Sequence, residues 1–182
     1  MRKLTASFFM SLDGVVEAPE KWQFPYMTDE IGAVIGQGIA SSGAFLLGRR
    51  TYEEWAAFWP TQDPAQNPMA GAINGMPKYV VSRTLGNAEW QNSTVVAGDL
   101  ATEVSALKDQ SGGDILIAGS ATLVRSLLEA GLIDELGVLV HPVLVGSGAR
   151  LFEAPAPTPL ELVESRAFGN GVVGLTYRPA AS

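Results

Sequence analysis

The sequence contains no cysteine and a single histidine, His141. Disulfide bonds and thiolate metal sites are therefore excluded, as is a zinc site built from several imidazoles, so we predict no metal centre. The lack of cysteine also suits a reducing cytoplasm, where we expect the protein to act. No run approaches the roughly 18 uninterrupted apolar residues of a membrane-spanning helix, so no membrane association is expected.

Basic residues are scarce, with 12 Lys and Arg against 19 Asp and Glu and a formal net charge of -7. General nucleic-acid surfaces are built from clustered Lys and Arg, so this balance argues against such a partner. Any anionic ligand must be held by local basic groups. Hydrophobic residues make up 47% of the 182 residues, and we predict one globular domain over residues 1–182.

Short apolar segments alternate with amphipathic ones over much of the chain. Residues 3–10 alternate as a half-buried strand does. Residues 44–48 are continuously apolar, as is typical of a strand buried on both faces, and residues 114–119, which are apolar after Asp114, predict another buried strand. Thr28 and Asp99 stand where two amphipathic helices would begin and are predicted to cap them. The alternation predicts strand-helix units around a mostly parallel sheet.

Three other segments complete the predicted architecture. Residues 160–179 contain a Gly-Asn-Gly turn between two apolar segments and predict an antiparallel hairpin. Residues 60–77 hold four prolines and are predicted as a long surface loop. Thr51 and Glu54 have capping-box spacing at the start of a helix. We therefore predict an α/β fold with helices on both faces of the sheet and a C-terminal antiparallel hairpin.

Three predicted strands end in residues suited to binding phosphate. The segments are "LLGRRT", "VVSRT" and "LIAGSAT". In open α/β sheets, ligands bind beyond the carboxyl ends of the strands, where helix N-termini present free N–H groups. Arg49 and Arg50 are equally explained as solvated residues of a first helical turn, and Gly119 as an aid to close strand-helix packing. The hypothesis of an extended ligand with several phosphates depends on the coincidence of all three.

Longer motifs carry a resemblance to a known family. "LLGRRTYEEW" resembles the Gly-Arg-x-Thr-(Trp/Tyr)-Glu segment of dihydrofolate reductases, and "KYVVSRT" and "DILIAGSATLVRSLLEAGLIDEL" extend the likeness. The chain is more similar still to stand-alone bacterial proteins related to the reductase domain of the riboflavin-biosynthesis deaminase-reductase. Those proteins share "SLDG", "LLGRRTYE", "PKYVVSRTL" and "HPVLVGSGARLF" in the same order. The resemblance implies a three-layer dihydrofolate reductase-like fold for nearly the whole chain.

The resemblance also implies that NADPH is the cofactor. The first strand end would bind coenzyme phosphates, the second the adenosine 2'-phosphate and the third the pyrophosphate. An Arg-to-phosphate contact is roughly twice as strong as a neutral hydrogen bond, so local arginines outweigh the net negative charge. The implied cofactor-binding residues are Gly48, Arg49, Arg50, Thr51, Val81, Ser82, Arg83, Ala118, Gly119, Ser120, Ala121 and Thr122. A homodimer is expected.

The implied reaction is hydride transfer to a C=N bond of a pteridine- or aminopyrimidine-type substrate. Asp29, Glu30 and Asp13 are the candidate proton donors, although helix-dipole and turn roles explain them equally well. The candidate substrate-binding residues Trp22, Tyr52 and Trp55 have spacings that are also common in a core.

The chain departs from the riboflavin reductases at one motif. They carry Glu-Gly-Gly where this sequence has Ala118, Gly119 and Ser120, and no segment of these 182 residues resembles their deaminase domain. An aminouracil substrate and a folate therefore both stay open. A non-catalytic nucleotide-binding module of the same fold is the alternative function. His141, which precedes Pro142, is interpreted as structural.

Overall fold

The computed structural model describes residues 1–153 and 157–180 and contains one eight-stranded sheet. The strands are β1 (Leu4–Ser11), β2 (Ser42–Gly48), β3 (Lys78–Val81), β4 (Ser93–Val96), β5 (Asp114–Ala118), β6 (Glu135–His141), β7 (Leu160–Ala167) and β8 (Val173–Pro179). Their order across the sheet is β4-β3-β2-β5-β1-β6-β8-β7. The first six run parallel, and β8 and β7 form the antiparallel edge. The predicted topology is confirmed.

Five α-helices pack against this sheet in the described part of the chain. They are α1 (Asp29–Ser41), α2 (Arg49–Phe58), α3 (Pro68–Gly75), α4 (Leu100–Asp109) and α5 (Ala121–Glu129). Apolar residues of α1, α2 and α3 pack on one face, and those of α4 and α5 on the other. Within residues 1–153 and 157–180, no helix combines the length and apolar character needed to cross a bilayer.

The central strands owe their position to uninterrupted apolar sequence. Residues 44–47 of β2 are all fully buried, as are Ile115 and Ile117 of β5, and Leu116, which points to the opposite face, is 7% exposed. A strand in this position needs apolar side chains on both faces because helices cover both. The prediction that these two segments are buried on both faces is confirmed.

The predicted N-terminal caps of α1 and α4 are confirmed. The Thr28 hydroxyl accepts a hydrogen bond from the Ile31 N–H at 3.3 Å, and the Asp99 carboxylate accepts one from the Thr102 N–H at 3.0 Å. Each satisfies an amide that the first helical turn leaves without an internal partner.

The predicted capping box at α2 is wrong. The helix begins at Arg49 with Gly48 as its N-cap, so Thr51 already lies inside the first turn. The Thr51 hydroxyl is hydrogen bonded to the Ser120 hydroxyl at 2.7 Å, a tertiary partner instead of a local amide.

The prediction of a long loop over residues 60–77 is also wrong. Pro68 opens α3, which continues to Gly75. Proline is tolerated at the first helical position because that N–H has no partner inside the helix. The four prolines were interpreted as the sign of an irregular segment. One of them, Pro68, marks the start of a helix instead.

The start of β2 lies unusually close to the segment that leads into β5. A Cβ built on Gly43 would lie 2.8 Å from the backbone nitrogen of Gly113, and one built on Gly113 would lie 2.9 Å from that of Gly43. Both obstacles are backbone atoms, which cannot rotate away as a flexible side chain does. The approach of the two segments therefore depends on glycine at both positions.

We predict that Gly43→Ala destabilises the protein by about 1–3 kcal/mol, the usual range for overpacking. Gly38→Ala is the matched control, because the added methyl group meets no atom within 4 Å in α1. Alanine inside a helix is favoured over glycine by roughly 0.5–1 kcal/mol, so this variant should be slightly more stable than the wild type. Equilibrium urea unfolding measures both; equal stability of Gly43→Ala and Gly38→Ala would contradict the close approach.

Candidate functional site

The three strand ends with phosphate-suited residues are neighbours in the sheet. β3, β2 and β5 are adjacent, and Gly48 and Val81 are register partners at the carboxyl ends of β2 and β3. Adjacent strands lie about 4.8 Å apart, so the three ends span roughly 10 Å. We call this edge, formed by residues 48–51, 81–83 and 118–122, the strand-end crevice.

A hydroxyl junction joins two sides of the strand-end crevice. The Gly48 N–H donates to the Ser120 Oγ at 2.9 Å, and that oxygen shares a 2.7 Å hydrogen bond with the Thr51 hydroxyl. Ser120 follows β5, whereas Gly48 and Thr51 belong to the end of β2 and the start of α2. The sequence prediction that these two segments belong together is thus supported by direct contacts.

Glycine keeps the space between these two segments open. Gly119 has φ +73°, and a Cβ there would lie 3.2 Å from Thr51 Cγ2. A Cβ on Gly48 would lie 3.1 Å from Ser120 Oγ. Side chains at either position would fill the cradle between the strand ends, where a pyrophosphate must approach the backbone closely. The residues present therefore fit a dinucleotide phosphate.

The helices that start at the strand-end crevice lack the side-chain caps found in α1 and α4. In the described structure, neither Gly48 at α2 nor Ser120 at α5 makes a side-chain cap hydrogen bond. Uncapped first-turn N–H groups carry partial positive charge and suit an anion. The starts of α2 and α5, which follow β2 and β5, therefore both present amides that no side chain caps. The start of α3 is uncapped as well, but its first residue is Pro68, which has no N–H.

Three arginines lie at the rim. Arg49, Arg50 and Arg83 are solvent-exposed, and Arg49 pairs with Glu53 at 3.2 Å. Within residues 1–153 and 157–180, Arg50 and Arg83 make no ion pair. Cations near a helix N-terminus are mildly unfavourable unless an anion accompanies them. Arg50 and Arg83 are therefore the rim charges that are available to a phosphate.

Ser82 shapes the turn that presents Arg83. Its side chain is buried, and its Oγ accepts hydrogen bonds from the N–H groups of Thr84 and Leu85 at 3.2 and 2.9 Å. The remaining predicted cofactor residues lie beside these groups at the strand and helix ends. Val81, Ala118 and Ala121 are half-buried, and Thr122 is exposed.

Asp13 connects the end of β1 to the loop after β6. Its carboxylate accepts hydrogen bonds from the Ser11 hydroxyl at 2.7 Å and from the N–H groups of Val145 and Gly146 at 3.0 and 2.8 Å. These hydrogen bonds, that of Ser11 first, lower the pKa of Asp13 to about 2. A carboxyl that is ionised this firmly is a poor proton donor at neutral pH, so its position is that of a structural residue.

The other two acidic candidates lie in the first turn of α1. Glu30 is paired with Arg166 of β7. Asp29 is exposed and makes no ion pair or side-chain hydrogen bond within the described ranges. Of the two first-turn acids, Asp29 is therefore the one whose carboxylate is available to a ligand.

The three aromatic candidates lie in different places. Tyr52 is 4% exposed, and its hydroxyl accepts a hydrogen bond from the Trp90 N–H at 3.0 Å. Trp55 packs edge-on against Phe45, with ring centroids 5.4 Å apart. Both belong to the core on the α1–α3 face. Trp22 instead packs against His141 at the carboxyl end of β6.

Sequence reasoning missed two polar residues near Trp22. His141 is 1% exposed and Gln23 is 8% exposed. The His141 Nε2 and the Gln23 Oε1 are both buried without a hydrogen-bond partner in the described structure. The only sequence signal was that His141 is the sole imidazole of the chain, because the lack of a partner arises from tertiary packing.

Comparison with known proteins places these features in a family. The model of the RibD C-terminal domain matches residues 2–174. The protein YyaP of Bacillus subtilis (strain 168), named as uncharacterized, is 29% identical over 181 residues, which cover 97% of this chain and 94% of that protein.

Two solved structures share the fold. A putative riboflavin biosynthesis protein from Shewanella sp. PV-4 superimposes with a TM-score of 0.77 at 18% identity, covering 98% of this chain and 99% of that one. The dihydrofolate reductase of Enterococcus faecalis, complexed with NADP(H) and RAB-propyl, gives a TM-score of 0.67 at 16% identity, covering 98% and 97%. The dihydrofolate reductase-like fold is therefore established for this chain.

Proposed function

The chain belongs to the RibD C-terminal domain family, and on that premise we propose that it is an NADPH-dependent reductase. The proposed reaction is hydride transfer to a C=N bond of a pteridine- or aminopyrimidine-type substrate, with residues 1–182 acting as one reductase domain. The observation that carries the proposal is the hydroxyl junction of Gly48, Thr51 and Ser120, which brings two glycine-bearing strand ends into one crevice.

The order of the strands gives the coenzyme a direction. Ser82 and Arg83 at the end of β3 would hold the 2'-phosphate, and the uncapped starts of α2 and α5 would hold the pyrophosphate. β1 is the next strand beyond β5, so the reactive ring would lie over the end of β1. The complex of the Enterococcus faecalis enzyme with NADP(H) supports this choice of coenzyme, because that enzyme has the same fold.

The protein would supply position and a proton. A bound NADPH would supply the hydride. We propose Asp29 as the proton donor, because Glu30 is paired with Arg166 and Asp13 is tied to Ser11 and the loop after β6. Trp22 would line the substrate side of the site at the carboxyl end of β6.

We predict that Arg83→Ala weakens NADPH binding by about 10- to 100-fold, the usual loss for a charge-assisted hydrogen bond. NADH binding should change by less than about threefold, because NADH has no 2'-phosphate. Titration of nicotinamide fluorescence measures both affinities.

Arg178→Ala is the matched control for this test. Arg178 is an exposed arginine of β8 that pairs with Glu161, and it lies on the far side of the sheet from β3. Its loss changes the net charge equally and should leave NADPH affinity unchanged. Equal losses for NADPH and NADH in Arg83→Ala would remove the 2'-phosphate assignment, and no saturable signal at millimolar coenzyme would remove the cofactor.

Turnover separates the reductase from the alternative, a non-catalytic nucleotide-binding module. The alternative is specific because the reductase depends on one candidate proton donor, Asp29, and a protein in which Asp29 does not act would bind the coenzyme without turnover. We predict NADPH oxidation with at least one member of a panel of folates, pterins and aminouracil phosphates. Asp29→Asn should lower that rate by about 100-fold or more, as expected for loss of a general acid, while NADPH affinity stays constant. Glu30→Gln is the control, and coenzyme binding without oxidation of any substrate would favour the module.

We further propose that the protein is a cytoplasmic homodimer. β7 forms one edge of the sheet, and its Leu162 and Val163 are 55% and 51% exposed. A second copy covering these side chains would remove apolar surface from water. Sedimentation equilibrium should give twice the 19.2 kDa of one chain, and Leu162→Lys should shift the mass towards a single chain. A wild-type protein of single-chain mass at micromolar concentration would contradict the dimer.

A further inference from the structure

The imidazole of His141 lies in an aromatic enclosure at the carboxyl ends of β1 and β6. His141 is the register partner of Ser11 and is 1% exposed. Three rings meet it edge-on, with centroid distances of 5.8 Å to Phe9, 5.4 Å to Trp22 and 5.7 Å to Tyr26. This enclosure is two strands away from β5 and the glycine cradle, on the side where the proposed coenzyme would present its reactive ring.

The hydrogen bond of His141 fixes which ring nitrogen carries the proton. Nδ1 lies 2.8 Å from the backbone oxygen of Leu139, and a carbonyl oxygen can only accept. Nδ1 therefore donates, and Nε2 of the neutral ring presents a lone pair. Burial lowers the pKa of His141 below its usual value, against the opposing effect of the Leu139 and Met10 carbonyls, so the ring is neutral at neutral pH.

The surroundings of this ring lack hydrogen-bond donors. In the described residues, three buried side-chain atoms lack a hydrogen-bond partner: His141 Nε2, Gln23 Oε1 and Ser93 Oγ. Ser93 lies on β4 at the opposite edge of the sheet, whereas Gln23 belongs to the segment that supplies Trp22 and Tyr26. Buried acceptors are nearly always paired, so the unpaired atoms of His141 and of the segment that packs against it call for a group that brings hydrogens.

Trp22 and Tyr26, which belong to the segment 18–27, pack over the imidazole of His141. Two short 3-10 turns, 19–21 and 24–26, make up most of this segment, and it begins at Ala18 in the left-handed region with φ 46°. Two of its rings make only long hydrogen bonds: Trp22 Nε1 donates to the Glu17 oxygen at 3.2 Å, and the Tyr26 hydroxyl donates to the Pro142 oxygen at 3.5 Å. The backbone is held more firmly, because the Asn170 side-chain amide donates to the Tyr26 backbone oxygen at 2.5 Å. Rotation of these two rings about their own side-chain bonds would uncover Nε2 and leave the backbone hydrogen bonds of the segment in place.

We propose that His141 Nε2 and Gln23 Oε1 are the acceptors that recognise the substrate, a planar heterocycle with ring or exocyclic N–H groups. The heterocycle binds at the carboxyl ends of β1 and β6 when Trp22 and Tyr26 move aside. The inference rests on the proposed reductase function and deepens it, because it assigns the residues that read the donor edge of the ring. A ring without N–H groups leaves both acceptors unpaired and is rejected.

The sole histidine of the chain makes a direct test possible. Protein labelled with 15N-histidine and prepared without a histidine tag gives imidazole signals from His141 alone. Lumazine, which carries two ring N–H groups, should move the Nε2 resonance upfield as the nitrogen accepts a hydrogen bond. 1,3-Dimethyllumazine, in which methyl groups replace both hydrogens, should bind at least about tenfold more weakly and leave Nε2 in place.

Two variants separate recognition from packing. His141→Leu should lower lumazine affinity at least about tenfold and leave that of 1,3-dimethyllumazine unchanged. His141→Gln keeps an acceptor and should retain most of the affinity for lumazine. NADPH titration of both variants is the fold control, because neither change touches the strand-end crevice. If His141→Leu fails to fold, the wild-type resonance and His141→Gln still decide the question.

The outcomes are distinct from those for the coenzyme. An Nε2 resonance that stays in place at saturating lumazine, equal affinity for the two lumazines, or no lumazine binding at millimolar concentration would each overturn the proposal. Normal NADPH binding together with any of these results leaves the reductase function standing. A shifted Nε2 resonance without NADPH binding would support the role of His141 and contradict the reductase function.

Discussion

The contact on which the rest of the site depends is the shared hydroxyl junction between Thr51 and Ser120, two residues 69 positions apart in the chain. It ties the start of α2 to the start of α5 and holds Gly119 against Thr51. With this junction in place, two uncapped helix starts and three arginines lie along one edge of the sheet. The parallel strands bring these groups to the same edge, and the junction fixes the two helix starts relative to each other.

Much of the fold could be predicted because its causes are local. Continuous apolar runs marked β2 and β5 as doubly covered, and Thr28 and Asp99 marked helix starts by the position of one oxygen. The capping-box prediction failed because two groups compete for one hydroxyl. The Thr51 hydroxyl had a local amide and a distant hydroxyl as possible partners, and only the folded chain brings the distant one near.

In the candidate site, too, the residues marked by local sequence could be predicted and those defined by tertiary contacts could not. The residues of the strand-end crevice were recognisable because each follows an apolar strand, and parallel strands bring their carboxyl ends to one edge. The aromatic candidates were harder, because spacing alone does not tell Tyr52 in the core from Trp22 beside His141. Unpaired acceptors such as Gln23 Oε1 have no sequence signature at all, since they are defined by what surrounds them.

The crevice is built from groups that keep their charge state throughout the ordinary pH range. Hydroxyls, backbone amides and guanidinium groups do not titrate there, whereas a phosphate monoester changes charge near pH 6. The protein side of the phosphate site is thus electrostatically constant. A loss of affinity for a phosphorylated ligand at acidic pH would consequently report the protonation of the ligand's own phosphate. The pH dependence of the dissociation constant would then follow the pKa of the ligand.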